Sequence, residues 1–396
     1  MTEQQAGNAS PVDLAGVSFA CSCGKTHAVG IQTVRVANGI ASEVAAFADE
    51  HRGGKAVLLV SDNYTFPAQG ESVAAALKAR GVETASWSYQ TTSMLVPDEK
   101  AVGELLLATP HSVGLIVAVG SGTLNDLCRI ISDRTAIPYL VVCTAPSVDG
   151  YASTVSPLII QGHKTTLEAV YPRAIFADPL VLRAAPAVLL QAGFGDLLGK
   201  VTALADWELA RRLNGEYHCP TIEAMVRRAL EVSIANAAGV AARDPGAVTA
   251  LFDALALSGL AMGMIGNSRP ASGAEHHLSH YWEMDALKNH EAHALHGNAV
   301  GSATVAIARA YELMRDLLPP GFVVPEAKAI RGWLKAAGSA VTPADLGIGR
   351  ELFHRSVLEA MHVRPRFTIL RFAADQERLA RLADQLTEEF YPRSPS

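Results

Sequence analysis

Short, almost wholly apolar runs alternate with helical patterns over roughly the first 180 residues. The segment Ala56–Asp62 (AVLLVSD) is rich in branched residues and ends in turn chemistry, which predicts a buried strand. Further strands are predicted at TASWSYQ, VGLIVAVGSG and IPYLVVCTAP, with helices at about residues 66–80, at EKAVGELLLAT and at TLNDLCRIISD. Apolar strands separated by helices are typical of a parallel sheet that is covered on both faces.

The pattern changes near residues 185–191. Beyond that point, long stretches rich in Ala and Leu, such as LLGKVTALADWELARRL and AVTALFDALALSGLAMGMI, have helical spacing without strand-like alternation. We therefore expect two domains, as the length of 396 residues also suggests. An α/β domain with an open parallel sheet covers residues 1–185, and an all-helical domain covers residues 186–396.

Composition and charge exclude several classes of protein. A content of 49% hydrophobic and 18% charged residues is that of a globular protein, and the net charge of −6 offers no basic surface for nucleic acid. The N-terminus has no basic stretch followed by an apolar run, and no uncharged apolar run reaches the ~20 residues of a membrane span. We expect a cytoplasmic protein without a membrane partner, and apolar helices such as LALSGLAMGMI suggest a homo-oligomer, a dimer or larger.

Two polar loops follow neighbouring predicted strands. The first, AVGSGTLND, has glycines at a strand-to-helix turn, where free N–H groups can bind a phosphate. Its GSGTxxD form is neither GxGxxG nor a P-loop, so a simple tight turn is an equal alternative. The second loop, TAPSVDGYAS, favours a nucleotide site, because the carboxyl ends of parallel strands form the ligand crevice. Asp62, which ends the first strand, either contacts the adenine ribose or caps its own turn.

Metal-binding side chains are concentrated in the helical half. The stretch SGAEHHLSHYWEMDALKNHEAHALHG holds six of the 13 histidines; His276 and His280 share a helix face, and His293 and His296 form an i, i+3 pair. Asp196, in AGFGDLLGK, is expected at the start of a helix, as a cap or as a ligand. Two histidines and a carboxylate are typical of a catalytic metal site. Spacing does not choose among the histidines, and a solvated polar face is the alternative.

The five cysteines are odd in number and scattered, which suits a reducing compartment. Cys128 and Cys143 lie in apolar stretches and are expected in the core. Cys21 and Cys23 with His27 resemble half of a zinc site, but no second ligand pair at a defined distance is evident. We therefore do not predict a metal there from the sequence.

Several of these motifs together resemble a known family. GSGTLND, TAPSVDGYAS, AGFGDLLGK, SRPASGAEHHLSHYWEM and LHG occur in this order, and at about these separations, in bacterial sn-glycerol-1-phosphate dehydrogenases. CSCGKTH and VRPRFTIL also resemble that bacterial branch. The family belongs to the iron-containing alcohol dehydrogenase and dehydroquinate synthase group, and the similarity covers essentially the whole chain.

The resemblance implies a dehydroquinate synthase-like fold and a set of site residues. The metal ligands would be Asp196, His276 and His296, and Asp149 and His280 would contact the substrate. His277, His290 and His293 gain no metal role and are left as ordinary polar residues. The implied dinucleotide contacts are Gly120, Ser121, Gly122, Thr123, Leu124, Thr144, Ala145, Pro146, Ser147 and Ser153.

The implied activity is the interconversion of dihydroxyacetone phosphate and sn-glycerol 1-phosphate with NAD or NADP and one divalent metal ion, zinc, nickel or iron. The partner is then a small phosphorylated triose, and Arg269, Lys164 and Lys200 are candidates for its phosphate. Within the group, the alternatives are a glycerol or other polyol dehydrogenase and a dehydroquinate synthase-like cyclase. Outside it, the alternative is a nucleotide-binding regulatory protein that has lost its chemistry.

Overall fold

A computed structural model describes residues 1–92 and 94–392, and the chain divides into two compact units. The first unit comprises Met1–Phe19 and Thr26–Pro186, and the second comprises Ala20–Lys25 and Ala187–Ser396. The sequence pattern did not group the short segment Ala20–Lys25 with the helical half. The expected fold class, an α/β half with a parallel sheet followed by a helical half, is confirmed.

Strands and helices alternate through the N-terminal half. In chain order they are α1 (Glu3–Asn8), α2 (Pro11–Leu14), β1 (Ser18–Ala20), β2 (Thr26–Ala28), β3 (Thr33–Val36), α3 (Ala41–His51), β4 (Ala56–Asp62), α4 (Glu71–Ala79), β5 (Thr84–Tyr89), α5 (Glu99–Ala108), β6 (Val113–Gly120), α6 (Gly122–Thr135), β7 (Tyr139–Cys143), β8 (Val155–Ile160), β9 (His163–Glu168), β10 (Ala174–Ala177) and α7 (Pro179–Ala184).

The main sheet has six strands in the order β3-β10-β7-β6-β4-β5. All its neighbouring strands run parallel. Strands β6 and β7 are buried almost throughout because helices cover the sheet. Cys143, the last residue of β7, and Cys128, in the middle of α6, both lie in the core as expected. The predicted strands and helices form, except that the helix expected from about residue 66 begins as a π-helical turn over Phe66–Gly70 before α4. Pro67 in that turn has no N–H to donate.

The strand order reverses direction at β4, the second strand from one edge of the sheet. Strand β5 lies on one side of β4, whereas β6 and β7 continue on its other side. Loops at the carboxyl ends of strands on either side of such a reversal diverge and leave a crevice for a ligand. Asp62 ends β4 and Gly120 ends β6, so the two predicted nucleotide-binding positions lie at the strands that flank the reversal.

The second unit is built from helices. In chain order they are α8 (Ala187–Leu198), α9 (Lys200–Asn214), α10 (Pro220–Ala235), α11 (Ala237–Ala241), α12 (Pro245–Ile265), α13 (Ala274–Lys288), α14 (His296–Leu313), α15 (Ala327–Ala336), α16 (Arg350–Glu359), α17 (Ile369–Asp375) and α18 (Leu379–Phe390).

Two helical segments, Ala187–Asn214 and Pro245–Ile265, are long and apolar enough to cross a membrane by length and composition alone. In each, 72% of the most apolar stretch is buried inside the protein, as expected for core helices. The apolar stretch that suggested an oligomer interface lies in α12 and packs mostly within its own unit.

Candidate metal centre and nucleotide-binding loops

Glycines allow helices α8 and α14 to approach each other closely. A Cβ atom on Gly195 would overlap the carbonyl oxygen of Gly297, and one on Gly297 would overlap the carbonyl oxygen of Ala192. Only glycine fits at such a backbone contact. The contact places Asp196, which follows Gly195, beside His296, the first residue of α14.

Asp196, His276 and His296 form a compact cluster. Each offers one ligand atom, and these atoms all lie within 4.8 Å of one another. The Nε2 atom of His276 is 3.6 Å from Oδ1 of Asp196, and the ring centroids of His276 and His296 are 5.2 Å apart. Asp196 lies in the last turn of α8, so the expected position at a helix start, with an N-cap role, is wrong.

A buried ion pair accompanies this cluster. The Nζ atom of Lys200, one helical turn beyond Asp196, lies 2.8 Å from Oδ1 of Asp196. Burial alone would raise the pKa of Asp196, but the Lys200 ammonium and the nearby imidazoles hold it well below its usual value. The carboxylate is therefore kept ionised, as a metal ligand must be. Lys200 is committed to this ion pair, which argues against a role in holding the substrate phosphate.

Glu275 orients the first histidine of the cluster, a role that the sequence did not suggest. Its Oε1 atom lies 2.7 Å from Nδ1 of His276, and its Oε2 atom accepts a hydrogen bond from the hydroxyl of Thr202 at 2.7 Å. Burial alone would lower the pKa of His276, but the contacts with Asp196 and Glu275 raise it. A carboxylate on Nδ1 leaves Nε2 as the ligand atom and makes it more basic.

The remaining histidines of this stretch have separate environments. His280 is nearly buried, and its ring centroid lies 5.3 Å from that of His296. His277 is 1% exposed, which does not agree with the expected ordinary polar residue. His293 lies in the loop before α14 and is not on a helix with His296, so the expected i, i+3 helical pair does not form. The alternative of a solvated, histidine-rich helix face is wrong for the start of α13, where the histidines are buried.

The chemistry of the donor set fits a transition metal. Two imidazoles and one carboxylate from three helices are borderline ligands suited to zinc, nickel or iron, and they leave coordination positions for a substrate. Their mutual proximity adds to this fit, because one ion could contact all three ligand atoms.

The glycine loop of the first unit is shaped for backbone contacts. A Cβ on Gly120 would overlap the side chain of Leu124, and one on Gly122 would lie 3.1 Å from Val148. Ser121 precedes α6 and makes no side-chain cap, so the first N–H groups of this 14-residue helix keep their capacity for a ligand. The Leu124 side chain is buried against the loop, and only its backbone is suited to contact a dinucleotide.

Arg129 fixes the second polar loop against α6, and the sequence did not single it out. Its guanidinium donates to the carbonyls of Gly150 and Val155 at 2.7 and 2.8 Å and pairs with Asp126 at 2.7 Å. Burial raises the pKa of Asp126 to about 7 although Arg129 opposes the shift. The sequence did contain a signal for this role, because Arg129 interrupts the apolar pattern of α6 and a buried arginine needs partners.

The other predicted positions of the first unit lie on or beside these loops. The N–H of Thr144 donates to the carbonyl of Gly120 at 3.1 Å, which joins the ends of β6 and β7. Asp149 precedes a short 3-10 turn, and the hydroxyl of Ser153 donates to the carbonyl of Gly150 in that turn. The Oδ1 atom of Asp62 accepts hydrogen bonds from two backbone N–H groups of its own turn. This oxygen therefore caps the turn, which is the second of the two roles considered for Asp62.

The two predicted sets of site residues thus each form a local group. Asp196, His276, His280 and His296 lie together in the second unit, and the glycine loop with Thr144, Asp149 and Ser153 lies in the first. Arg269, considered for the substrate phosphate, is buried and pairs with Glu216 at 2.7 Å, so it is already neutralised.

Known proteins define the class to which this fold belongs. The family model for iron-containing alcohol dehydrogenase matches residues 35–186. A solved structure of sulfoacetaldehyde reductase from Bifidobacterium kashiwanohense, in complex with NAD+, has a TM-score of 0.69 at 18% identity and covers 91% of this chain and 98% of its own. A probable glycerol dehydrogenase from Sinorhizobium meliloti gives 0.67 at 20% identity, covering 90% of this chain and 98% of its own. The fold is that of the iron-containing alcohol dehydrogenases.

Sequence relatives identify the family within that class. A glycerol-1-phosphate dehydrogenase [NAD(P)+] from Geobacillus thermodenitrificans is 36% identical over 389 residues, which covers 89% of this chain and 95% of the relative. One from Methanosarcina mazei is 33% identical, covering 85% of this chain and 89% of the relative. The chain belongs to the glycerol-1-phosphate dehydrogenase family, and the resemblance found in its motifs is confirmed.

Proposed function

We propose that this protein interconverts dihydroxyacetone phosphate and sn-glycerol 1-phosphate, with NAD or NADP and one divalent metal ion. The observation that carries the proposal is similarity over 89% of the chain to an enzyme of that name, in a chain whose Asp196, His276 and His296 cluster offers a complete ligand set. Because all three ligands are present, the alternative of a regulatory protein that has lost its catalytic activity is not favoured. Family members bind NAD(P), and the loops at the carboxyl ends of β4, β6 and β7 are the proposed site for it.

Asp196, His276 and His296 would hold the cation. When bound, the cation polarises the C2 ketone of the substrate and the nicotinamide supplies the hydride. Reduction of a ketone by hydride also requires one proton at the new hydroxyl. We assign its delivery to His280, the nearby imidazole outside the ligand set. Asp149 is proposed to hold a substrate hydroxyl.

Arg364 is the proposed partner of the substrate phosphate. Arg364 and Arg366 both act on His277 electrostatically, which places the two cations near α13. Arg366 donates to the carbonyl of Ser272 and to the hydroxyl of Ser268. The guanidinium of Arg364, by contrast, makes no hydrogen bond or ion pair with residues 1–92 or 94–392, and the residue is only partly exposed. A partly exposed cation with unused hydrogen-bond donors favours an anionic ligand.

A substrate panel tests the activity. Chelator-treated protein is reloaded with zinc, nickel or iron, and NADH and NADPH oxidation is followed with dihydroxyacetone phosphate and with dihydroxyacetone, with chiral analysis of the product. We expect turnover of the phosphorylated ketone to sn-glycerol 1-phosphate. Preference for dihydroxyacetone would indicate a polyol dehydrogenase. NADH binding without turnover with any metal would indicate a binding protein.

The phosphate contact has its own test. Arg364→Ala is expected to raise the KM for dihydroxyacetone phosphate about 10- to 100-fold, the usual effect of losing a charge-assisted hydrogen bond. The kinetics with dihydroxyacetone should barely change. Arg371→Ala, at an exposed arginine of the same unit, is the matched control. An equal loss with both ketones would remove Arg364 from the phosphate site.

We also propose that the protein acts in the cytoplasm and as a homo-oligomer. Its relatives are metabolic enzymes, which supports the first point. Light scattering during gel filtration would test the second, with a single-chain mass as the contrary result.

A further inference from the structure

The segment Ala20–Lys25 forms a tight turn that carries two cysteines. The N–H of Cys21 donates to the carbonyl of Lys25 at 3.0 Å, and the N–H of Gly24 donates to the carbonyl of Cys21 at 3.0 Å. Gly24 has a φ of +87°, a left-handed conformation that favours glycine. The turn fixes Cys21 and Cys23 relative to each other in the second unit.

A third cysteine comes from a distant part of the chain. Cys219 is buried and immediately precedes α10, a helix of 16 residues. Its sulfur lies 3.6 Å from that of Cys21, and the sulfurs of Cys21, Cys23 and Cys219 all lie within 4.8 Å of one another. The sequence lacked a second ligand group for Cys21 and Cys23, and the fold of the second unit supplies one.

We propose that Cys21, Cys23 and Cys219 form a second metal site, separate from the histidine cluster, that binds zinc in a structural role. Two thiolates each ~2.3 Å from a tetrahedral zinc ion lie about 3.8 Å apart, which is close to the separation of Cys21 and Cys219. Thiolates are soft ligands that select zinc over the hard cations. The bound ion would tie the turn to the start of α10.

Neighbouring groups suit a cluster of thiolates. The N-terminus of α10 carries a partial positive charge beside Cys219. The hydroxyl of Thr221, in the first turn of that helix, is 3.7 Å from the sulfur of Cys21, and the hydroxyl of Tyr217 is 3.1 Å from that of Cys23. Lys25 lies over the Tyr217 ring at 3.7 Å and adds a cation. A disulfide would use two of the three sulfurs and leave the third, so the metal site accounts for more of the arrangement.

Cobalt separates the two metal sites, because only a thiolate ligand gives an intense sulfur-to-cobalt charge-transfer band in the near ultraviolet. The experiment uses the full chain, purified with a reductant, stripped of metal and reloaded with cobalt(II) or zinc. The wild type is expected to bind two ions and to show the band. His276→Ala should lose one ion and keep the band, whereas Cys219→Ser should lose one ion and the band.

Cys23→Ser, at a partly exposed position of the turn, gives the same test if Cys219→Ser fails to fold, and Cys128→Ala is the control at a core cysteine outside the cluster. One bound ion in the wild type, with no band, would overturn the proposal. A Cys21–Cys219 disulfide found by mass spectrometry of protein purified with a reductant would also overturn it. Neither result would affect the proposed activity, which depends on the histidine cluster.

Discussion

Glu275 shows how one buried carboxylate controls a ligand of the candidate metal centre. Glu275→Gln keeps the size of the side chain but removes the charge that faces Nδ1 of His276. Loss of such a partner typically costs 10- to 100-fold in metal affinity or activity. We expect that weakening for the variant, measured by competition with a chromophoric chelator, together with a matching fall in kcat that excess metal partly restores.

Glu351→Gln is the control for this experiment, because Glu351 is an exposed glutamate in the first turn of another helix of the same unit. The control should keep wild-type affinity. If Glu275→Gln also kept it, Glu275 would have no part in orienting His276.

His277 is predicted to make the protein sensitive to acid. Neither of its ring nitrogens has a hydrogen-bond partner in the part of the chain that the structure describes, and burial lowers its pKa to about 3 from the ordinary 6.5. The folded state thus binds fewer protons than the unfolded state below pH 6.5. The stability that His277 contributes is complete above about pH 6.5 and is lost progressively as the pH falls toward 3.

His277→Leu should remove this dependence while keeping the metal. At pH 5 the wild type should have lost about 2 kcal/mol through His277, relative to pH 7.5, and the variant should not show that loss. Urea unfolding of chelator-treated proteins at the two pH values measures the difference, with His111→Leu, at an exposed histidine, as the control. A parallel fall in both the wild type and His277→Leu would contradict the pKa argument.

The crossing of α8 and α14 depends on glycines for its distance. Gly297→Ala would force the two helices apart, since its Cβ would occupy the position of the Ala192 carbonyl. We expect a loss of at least ~2 kcal/mol in the free energy of unfolding and a loss of metal, because the crossing holds Asp196 against His296. Thermal unfolding and metal content measure these effects.

Gly332→Ala provides the opposite case. Gly332 lies within α15, and a Cβ there would meet nothing within 4 Å, so the substitution should stabilise the protein by about 0.5–1 kcal/mol through helix propensity alone. Stabilisation by both substitutions would show that the crossing tolerates a methyl group.

Sequence patterns predicted the long elements and missed the short ones for a physical reason. Ala56–Asp62 forms a strand with the predicted bounds because its seven residues are nearly all apolar and buried. Strands β3 and β10 have only four residues each, too few to establish a period. The glycines around Asp196 were interpreted as a helix start, whereas they serve a contact between two helices.

Site residues were predictable where a motif carries them and not where the fold alone brings them together. His276 and His296 belong to recognisable motifs. Glu275 was missed because neighbours in sequence point about 100° apart around a helix, so adjacency to His276 did not suggest a contact. Arg364 and Cys219 were missed because their roles depend on tertiary neighbours far away in the chain.

For the whole molecule, the two ligands are predicted to act on different units. NADH should slow amide hydrogen exchange in residues 120–124 and 144–147 of the first unit. The catalytic metal should slow it in α8, α13 and α14 of the second, because its proposed ligands lie on those three helices. Hydrogen exchange with mass spectrometry, carried out with each ligand alone, tests this. Protection by NADH confined to the second unit would show that the glycine loop is not the dinucleotide site.

The membership of Ala20–Lys25 in the second unit also has a consequence for the timing of synthesis. These residues leave the ribosome early, yet Cys219, which contacts Cys21, lies 198 residues further along. At the ~5–20 residues per second of translation, about 10 to 40 s pass before their partner exists. The turn therefore stays without its partner helix while the sheet is made. The second unit is complete only when its helices pack against a segment that precedes the sheet in the chain.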